Sequence, residues 1–249
     1  MVWQACQGEK HIQALSGELF RLVESQQQIA TLSYVDTLEE QALLEDMLDA
    51  AKPAHVAGGQ AYHYLLSTPF RYPPLLWGSR FGGVHEPSLL YGGASVATTL
   101  AESAYYRFVF WHTMQAPPPK PRIHTEHTLF SARYKTNKGI ALQAAPFNAY
   151  KKQLTHPSNY TATQQLGASM RAAGVQAFEY VSARDPSQQG LCVALYVPQA
   201  LAQKRPQRTE QWLCELSANE VAFRQVGQRS ITAFKLSDFA LNGQLPMPA

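Results

Sequence analysis

Residues 70–103 read FRYPPLLWGSRFGGVHEPSLLYGGASVATTLAES and contain two arginines, several aromatic residues, two glycine pairs and two glutamates. Within this stretch, residues 88–91 form a short apolar run before a Gly-Gly turn, which predicts a buried strand that ends at Tyr91. Ser95 has the position of a helix N-cap, so Glu102 is expected two turns into the helix that follows. Because loops that join strands to helices often carry functional residues, we interpret this stretch as a site.

The two arginines of this stretch predict a pocket for an anion. Arg71 and Arg80 carry planar, permanently charged groups that suit phosphate oxygens, and the glycine pairs let the backbone approach a ligand closely. Each residue taken alone has another interpretation. Arg71 precedes a Tyr-Pro-Pro sequence and could bond loop carbonyls, and Glu102 could lie on a solvated helix face. The residues taken together favour a site.

These residues resemble the RES domain family, the toxins of Xre-RES type II toxin-antitoxin systems, which is named for its arginine, glutamate and serine. The resemblance places the two arginines of the family on Arg71 and on Arg80 in GSRFGG. It places the tyrosine of the family on Tyr91 in LLYGG and the glutamate on Glu102 in TLAES. The serine of the family falls on Ser182 in AFEYVSARDP, after a predicted strand. Together these motifs are specific, although each alone is short.

The resemblance covers about residues 20–240 and implies both a fold and an activity. RES proteins are similar in fold to ADP-ribosyltransferases and consume NAD by hydrolysis, phosphorolysis or transfer. The resemblance therefore implies a toxin that cleaves the nicotinamide–ribose bond and depletes NAD, with NAD as substrate and no true cofactor. It also implies a cognate helix-turn-helix antitoxin as partner and a homo-oligomer within that complex. One departure is Phe81-Gly82, where the family often has an aromatic residue and an asparagine.

The residues fit this chemistry. The nicotinamide of NAD is a cationic leaving group that needs no general acid, so one carboxylate can suffice where ordinary glycosides need two. We expect Glu102 to stabilise the positive charge that builds on the ribose. Arg71 and Arg80 would bind the pyrophosphate or an acceptor phosphate. Tyr91 would stack on or orient the nicotinamide end, and Ser182 would fix the ribose or the amide.

Two other functions remain open at this point. A mono-ADP-ribosyltransferase that modifies a protein target would use the same residues with a different acceptor. A non-catalytic nucleotide-binding or partner-binding module would use the arginines only to recognise phosphate. Direct nucleic-acid binding is disfavoured, because 21 basic and 18 acidic residues give a net charge of only +3. Dinucleotide-fold and P-loop fingerprints and metal-ligand spacings are missing from the sequence, which disfavours those classes of site.

The cysteines and the apolar runs indicate a location. Cys6, Cys192 and Cys214 have no paired spacing, which favours a reducing cytoplasm, and we expect the last two to be buried. The first twenty residues lack the pattern of a signal peptide, and no apolar run reaches the length of a membrane span. We therefore expect a cytoplasmic protein without a membrane segment.

The pattern of elements predicts a fold class and a division of the chain. We expect residues 1–55 to be an N-terminal helical extension, based on a capping-box pattern at Asp36 and Glu39, and residues 56–249 to be the RES domain. Short strands outnumber helices in the second half, which predicts an α+β fold with an ADP-ribosyltransferase-like core of largely antiparallel sheets and flanking helices. Two of these strands are expected at 127–135 and 139–143, with a turn between them.

Overall fold

The computed structural model describes residues 1–25, 35–54, 61–116, 118 and 120–248. The α-helices of this part of the chain are α1 (Val2–Ala5), α2 (Leu38–Ala50), α3 (Tyr64–Arg71), α4 (Val96–His112), α5 (Lys151–Leu154) and α6 (Thr161–Ala172). The strands are β1 (Gln13–Glu24), β2 (Leu90–Gly93), β3 (Ile123–Ala141), β4 (Ala177–Val181), β5 (Leu191–Leu195), β6 (Arg208–Leu216), β7 (Glu220–Gln225) and β8 (Thr232–Lys235).

These strands form one eight-stranded sheet in the order β1-β2-β5-β4-β3-β6-β7-β8. Strand β1 also pairs with β3, so the first five strands close into a ring and the last three extend from it. Every pairing is antiparallel except that between β3 and β4. The predicted α+β fold, with a largely antiparallel sheet and flanking helices, is therefore confirmed.

The N-terminal segment contains a long strand where the sequence predicted helix. Strand β1 pairs with β3 from Gln13 opposite Gly139 to Glu24 opposite His127. The helical prediction is wrong here because the stabilising partner of β1 lies more than a hundred residues away, and strand formation depends strongly on such context. The same segment does contain the helices α1 and α2. Residues 26–34, and the predicted boundary within 55–60, lie outside the described residues.

Strand β3 is a single element of 19 residues, and the turn predicted between two shorter strands is not formed. Residues 123–131 of β3 pair with β6, while residues 127–139 pair with β1 on its other edge. On both sides of the polar sequence that suggested a turn, β3 pairs with β1, at Thr136 opposite Leu15 and at Gly139 opposite Gln13, and this pairing holds the strand extended there. The sequence also did not predict β6 or α3.

The helix that carries Glu102 begins as predicted. The Ser95 hydroxyl accepts a hydrogen bond from the Thr98 backbone N–H at 3.1 Å, and this caps α4. The Gly-Gly sequence before it is part of β2 and not a turn. A Cβ at Gly92 would lie 2.6 Å from the Phe20 carbonyl oxygen, and one at Gly93 would lie 2.5 Å from the Thr99 hydroxyl. The glycine pair thus lets β1, β2 and the start of α4 approach closely.

Candidate active site

Two adjoining cavities lie beside β1 and β2, and α4 lines one of them. The first, which we call the carboxylate cavity, has a volume of about 430 Å³, and its walls include Arg80, Tyr91 and Glu102. The structure thus brings three of the residues singled out in the sequence to one cavity. The second, which we call the α3 cavity, has a volume of about 450 Å³ and extends toward α3. Arg21 and Tyr91 line both cavities.

Glu102 is held from one side by two donors. Its Oε1 accepts a hydrogen bond from the Ser182 hydroxyl at 2.5 Å and one from the Cys192 thiol, with Sγ at 3.6 Å. The first contact has the short length expected of a hydroxyl on a carboxylate. Within the described residues, Oε2 accepts no hydrogen bond. Oε1 therefore fixes the carboxylate, and Oε2 is left for a ligand in the cavity.

Ser182 lies behind Glu102 at the end of β4 and is 4 % exposed. Its Oγ accepts hydrogen bonds from the backbone N–H groups of Arg184 at 3.1 Å and Asp185 at 2.9 Å. The only hydroxyl proton is donated to Glu102. The predicted contact of Ser182 with the ribose or the amide is therefore corrected, because this hydroxyl positions the carboxylate.

Cys192 on β5 is the second donor to Glu102 and was not predicted as a site residue. Its thiol is buried, as the sequence indicated, and it lines the carboxylate cavity. Burial and the neighbouring Glu102 raise the pKa of the Cys192 thiol well above its ordinary value. The thiol therefore stays protonated and acts as a donor, not as a nucleophile.

Tyr91 holds the loop that carries Arg80. Its hydroxyl lies 2.9 Å from the Ser79 hydroxyl and accepts a hydrogen bond from the Phe81 backbone N–H at 3.1 Å. Burial raises the pKa of Tyr91 to about 12, so the phenol stays neutral. Its side chain lines both cavities, while the stacking of its ring on nicotinamide stays a prediction.

Arg80 is divided between the protein and the carboxylate cavity. Its Nη1 donates to the carbonyl oxygens of His156 at 2.9 Å and Leu154 at 3.4 Å, and its guanidinium carbon lies 4.5 Å from the centre of the Tyr160 ring. In the described part of the chain, Nε and Nη2 make no hydrogen bond. These contacts fix the direction of the guanidinium and leave donors for a ligand.

Arg71 does not join this cluster. It ends α3, where Nε donates to the Pro53 carbonyl oxygen and Nη2 to the Lys52 carbonyl oxygen. It lines neither of the two cavities. The assignment of Arg71 to the anion pocket is therefore corrected: the loop-carbonyl interpretation that the sequence left open describes its position.

Arg21 takes the place expected of Arg71. It lies on β1, its Nη1 donates to the Tyr91 carbonyl oxygen at 2.8 Å, and its Nε is buried without a partner. Desolvation lowers the pKa of the Arg21 guanidinium, although an arginine remains charged in proteins. The signal in the sequence was an arginine inside the apolar run LFRLV, since buried arginines are rare unless paired.

The far wall of the carboxylate cavity contains an ion pair and a neutral histidine. Arg107 Nη1 lies 3.1 Å from Glu24 Oε2. Burial and the neighbouring Arg107 lower the pKa of His127 to about 4, and its Nε2 lies 2.9 Å from the Thr125 hydroxyl.

Among the described residues, Arg21 and Arg80 have no carboxylate within salt-bridge distance. Three arginines and two glutamates line the cavity, so the lining has a net positive charge, which favours an anionic ligand.

The family model for the RES domain matches residues 52–217, which is about two thirds of the chain. The chain therefore belongs to the RES domain family. This membership supports a toxin-like, ADP-ribosyltransferase-like module. The match includes Arg80, Tyr91, Glu102 and Ser182, whereas Arg21 lies outside it. A comparison with curated proteins gave no significant match.

Two properties of the described residues concern membranes and metals. No helix in this part of the chain has the length and apolar character needed to cross a membrane. No group of three or more histidine, cysteine, aspartate or glutamate side chains in the same residues is arranged to hold a metal ion.

Proposed function

We propose that this RES protein binds NAD, cleaves the bond between nicotinamide and ribose, and so depletes NAD. The observation that carries the proposal is the Glu102 carboxylate, held by the Ser182 hydroxyl at 2.5 Å on the wall of a cavity that also presents Arg21 and Arg80. A single oriented carboxylate beside unpaired cations suits a substrate with a pyrophosphate and a bond that breaks with positive charge on a sugar.

The chemistry needs no acid group for the leaving base. As the bond breaks, its electron pair moves to the pyridinium nitrogen, and nicotinamide leaves as a neutral molecule. Positive charge develops on the ribose, where Oε2 of Glu102 stabilises it. In hydrolysis, a water then adds to the ribosyl carbon and loses its proton to solvent. Ser182 and Cys192 keep the carboxylate in place during this step.

The arginines account for binding. Arg21 has a buried, unpaired Nε, and Arg80 has free donors at the same cavity. Guanidinium groups bind phosphate oxygens through paired N–H donors, so the pyrophosphate of NAD would satisfy both. This revises the initial assignment, because Arg21 takes the phosphate-binding role given to Arg71.

The direct test is the release of nicotinamide by Glu102→Gln, measured by chromatography with circular dichroism as a check of folding. We expect a decrease in kcat of about a hundredfold to a thousandfold, since an electrostatic group at a developing charge contributes this much. Glu126→Gln removes an exposed carboxylate on β3 and serves as the matched control. A folded Glu102→Gln protein with the wild-type rate would contradict the proposal.

The acceptor and the protein partner are tested separately. Incubation with NAD in phosphate-containing and phosphate-free buffers, with product identification, distinguishes ADP-ribose from its phosphate ester. Mass spectrometry of cell proteins detects a transferase that modifies protein targets, and NAD binding without turnover would indicate a non-catalytic module. Neutralisation by a helix-turn-helix antitoxin is tested by adding that protein to the nicotinamide assay.

A further inference from the structure

The α3 cavity has no role in the chemistry of Glu102. It lies between the C-terminal end of β1, helix α3 and residues 72–75. Its volume of about 450 Å³ is similar to that of the carboxylate cavity. Volumes of this size are typical of small-molecule sites. A ligand confined to the carboxylate cavity would leave the α3 cavity empty.

We propose that the α3 cavity is the subsite for the adenine nucleoside half of NAD, while the carboxylate cavity holds the nicotinamide riboside half. This inference rests on the proposed function and adds to it the orientation of the dinucleotide. It assigns the α3 cavity a ligand of stated chemistry, a flat and neutral aromatic base with its ribose.

The walls of the α3 cavity suit such a base. Tyr64 and Tyr72 line it and are 53 % and 40 % exposed. The His63 ring packs against Tyr64, with ring centres 4.6 Å apart, and both tyrosines keep exposed surface for a ligand. Pro69, Pro73 and Leu75 supply apolar surface beside them. Aromatic rings and apolar side chains stack on any base through its π-face.

The charged residues that line the α3 cavity lie at its junction with the carboxylate cavity. Arg21 and Glu24 line both cavities. Oε2 of Glu24 is paired with Arg107, and in the described residues Oε1 accepts no hydrogen bond, so it can accept one from a ribose hydroxyl. Acidic residues bind ribose hydroxyls in this way in dinucleotide-binding folds.

The junction itself fits the middle of a dinucleotide. NAD consists of two nucleosides joined by a pyrophosphate, and the two cavities are joined at Arg21, whose Nε is buried and unpaired. A pyrophosphate at this position would satisfy that donor and place one nucleoside in each cavity. Of the two cavities, Glu102 lines only the carboxylate cavity. The nicotinamide half of NAD is therefore assigned to the carboxylate cavity.

The test compares NAD with nicotinamide mononucleotide, which has the scissile bond but no adenylate. Tyr72→Ala removes one stacking ring, and Thr68→Trp fills the α3 cavity from α3. We expect each substitution to lower the ratio of kcat/KM for NAD to kcat/KM for nicotinamide mononucleotide by about tenfold or more. Leu76→Ala is the matched control, because Leu76 lies on the same loop, is 93 % exposed and lines neither cavity.

Two results would overturn the assignment: an unchanged ratio in both variants, or equal kcat/KM of the wild-type protein for the two substrates. Calorimetry with AMP gives a readout that does not depend on turnover. We expect AMP to bind the wild-type protein at least about tenfold more tightly than it binds the Thr68→Trp variant. If the wild-type protein cleaves neither substrate, the proposed function fails, and the AMP measurement alone then decides whether the α3 cavity binds the adenine nucleotide.

Discussion

The sequence Phe-Arg occurs three times, and the fold treats two of these places differently, Phe20-Arg21 in β1 and Phe70-Arg71 at the end of α3. In β1 the backbone is paired with β3, and the Arg21 side chain lines both cavities. Among the described residues, its one hydrogen-bond acceptor is the Tyr91 carbonyl oxygen. At the end of α3 the chain turns, and Arg71 donates to two backbone carbonyls of a preceding loop.

This difference shows that the secondary structure that carries an arginine decides, more than its neighbours in sequence, whether its guanidinium group is available to a ligand. A strand inside a sheet satisfies its own backbone groups and leaves the side chain free for a ligand. A helix end beside a loop offers carbonyl oxygens that use the guanidinium donors. Of the two arginines proposed to bind phosphate, Arg21 lies on β1, outside the segment that the family model matches, and Arg80 lies inside it.

Arg21→Ala is expected to have the largest effect on activity. We expect kcat/KM for NAD to decrease about a hundredfold, because the substitution removes a desolvated charge that would pair with the pyrophosphate. Arg21→Lys keeps the charge but not the planar fork, so its activity should fall between those of the wild type and the alanine variant. Steady-state release of nicotinamide measures all three. Activity of Arg21→Ala within about twofold of wild type would remove β1 from the site.

Ser182→Ala tests whether the Ser182 hydroxyl positions the Glu102 carboxylate and does not contact the substrate. We expect kcat to fall about thirtyfold with little change in KM, because a hydrogen bond to a charged group is lost and substrate contacts are not. The measurement is a full substrate curve beside that of Ser187→Ala, an exposed serine on the following loop. A change confined to KM would instead place the Ser182 hydroxyl on the substrate.

His127 lies opposite Glu24, the last residue of β1, and we expect it to make the stability of the protein depend on pH. Its pKa is lowered to about 4 in the folded protein, so below about pH 6.5 the unfolded chain binds a proton that the folded chain does not. Stability is therefore complete above about pH 6.5 and falls as the pH drops toward 4, by about 2 kcal/mol.

Denaturant unfolding at pH 7 and pH 4.5 measures this effect. His127→Gln removes the titration, so the variant should lose less stability than the wild type over the same interval. His85→Gln, at an exposed position, is the control and should show the wild-type dependence. Identical losses in wild type and His127→Gln would show that another group causes the pH dependence.

The smallest effect on activity is expected for Arg71→Ala. Since its donors are bound to loop carbonyls and it lines neither cavity, kcat/KM for NAD should change by less than about twofold. The free energy of unfolding should fall by about 1 kcal/mol, because hydrogen bonds to the loop are lost. A decrease in activity as large as that of Arg21→Ala would show that Arg71 reaches the substrate in a conformation other than this one.

The parts of the fold predicted from the sequence are those with local signals. Ser95 and the apolar spacing after it determine the start of α4, and the start of the helix determines where Glu102 lies. Gly174, with a positive φ of 75° that favours glycine, follows the end of α6. Such features depend on neighbours within a few residues, so a single sequence contains them.

The features that the sequence did not predict depend on residues far away in the chain. Strand β1 is extended because β3 lies beside it, and β3 is continuous because β1 pairs with it on both sides of the expected turn. The contact between Glu102 and Ser182 joins positions 80 residues apart. Neither residue shows locally that the hydroxyl serves the carboxylate and not a ligand, so the role of Ser182 required the geometry.

The closed ring of strands has a practical consequence for anyone who would express only the matched segment. A polypeptide of residues 52–217 would lack β1, which is bound to β3 along most of its length and to β2 at Phe20. Its removal would open the ring, expose the hydrogen-bonding edges of β2 and β3, and delete Arg21 at the same time. Unprotected edges invite pairing between copies, so such a fragment should aggregate and be inactive. For this protein, the smallest useful expression unit begins before Gln13.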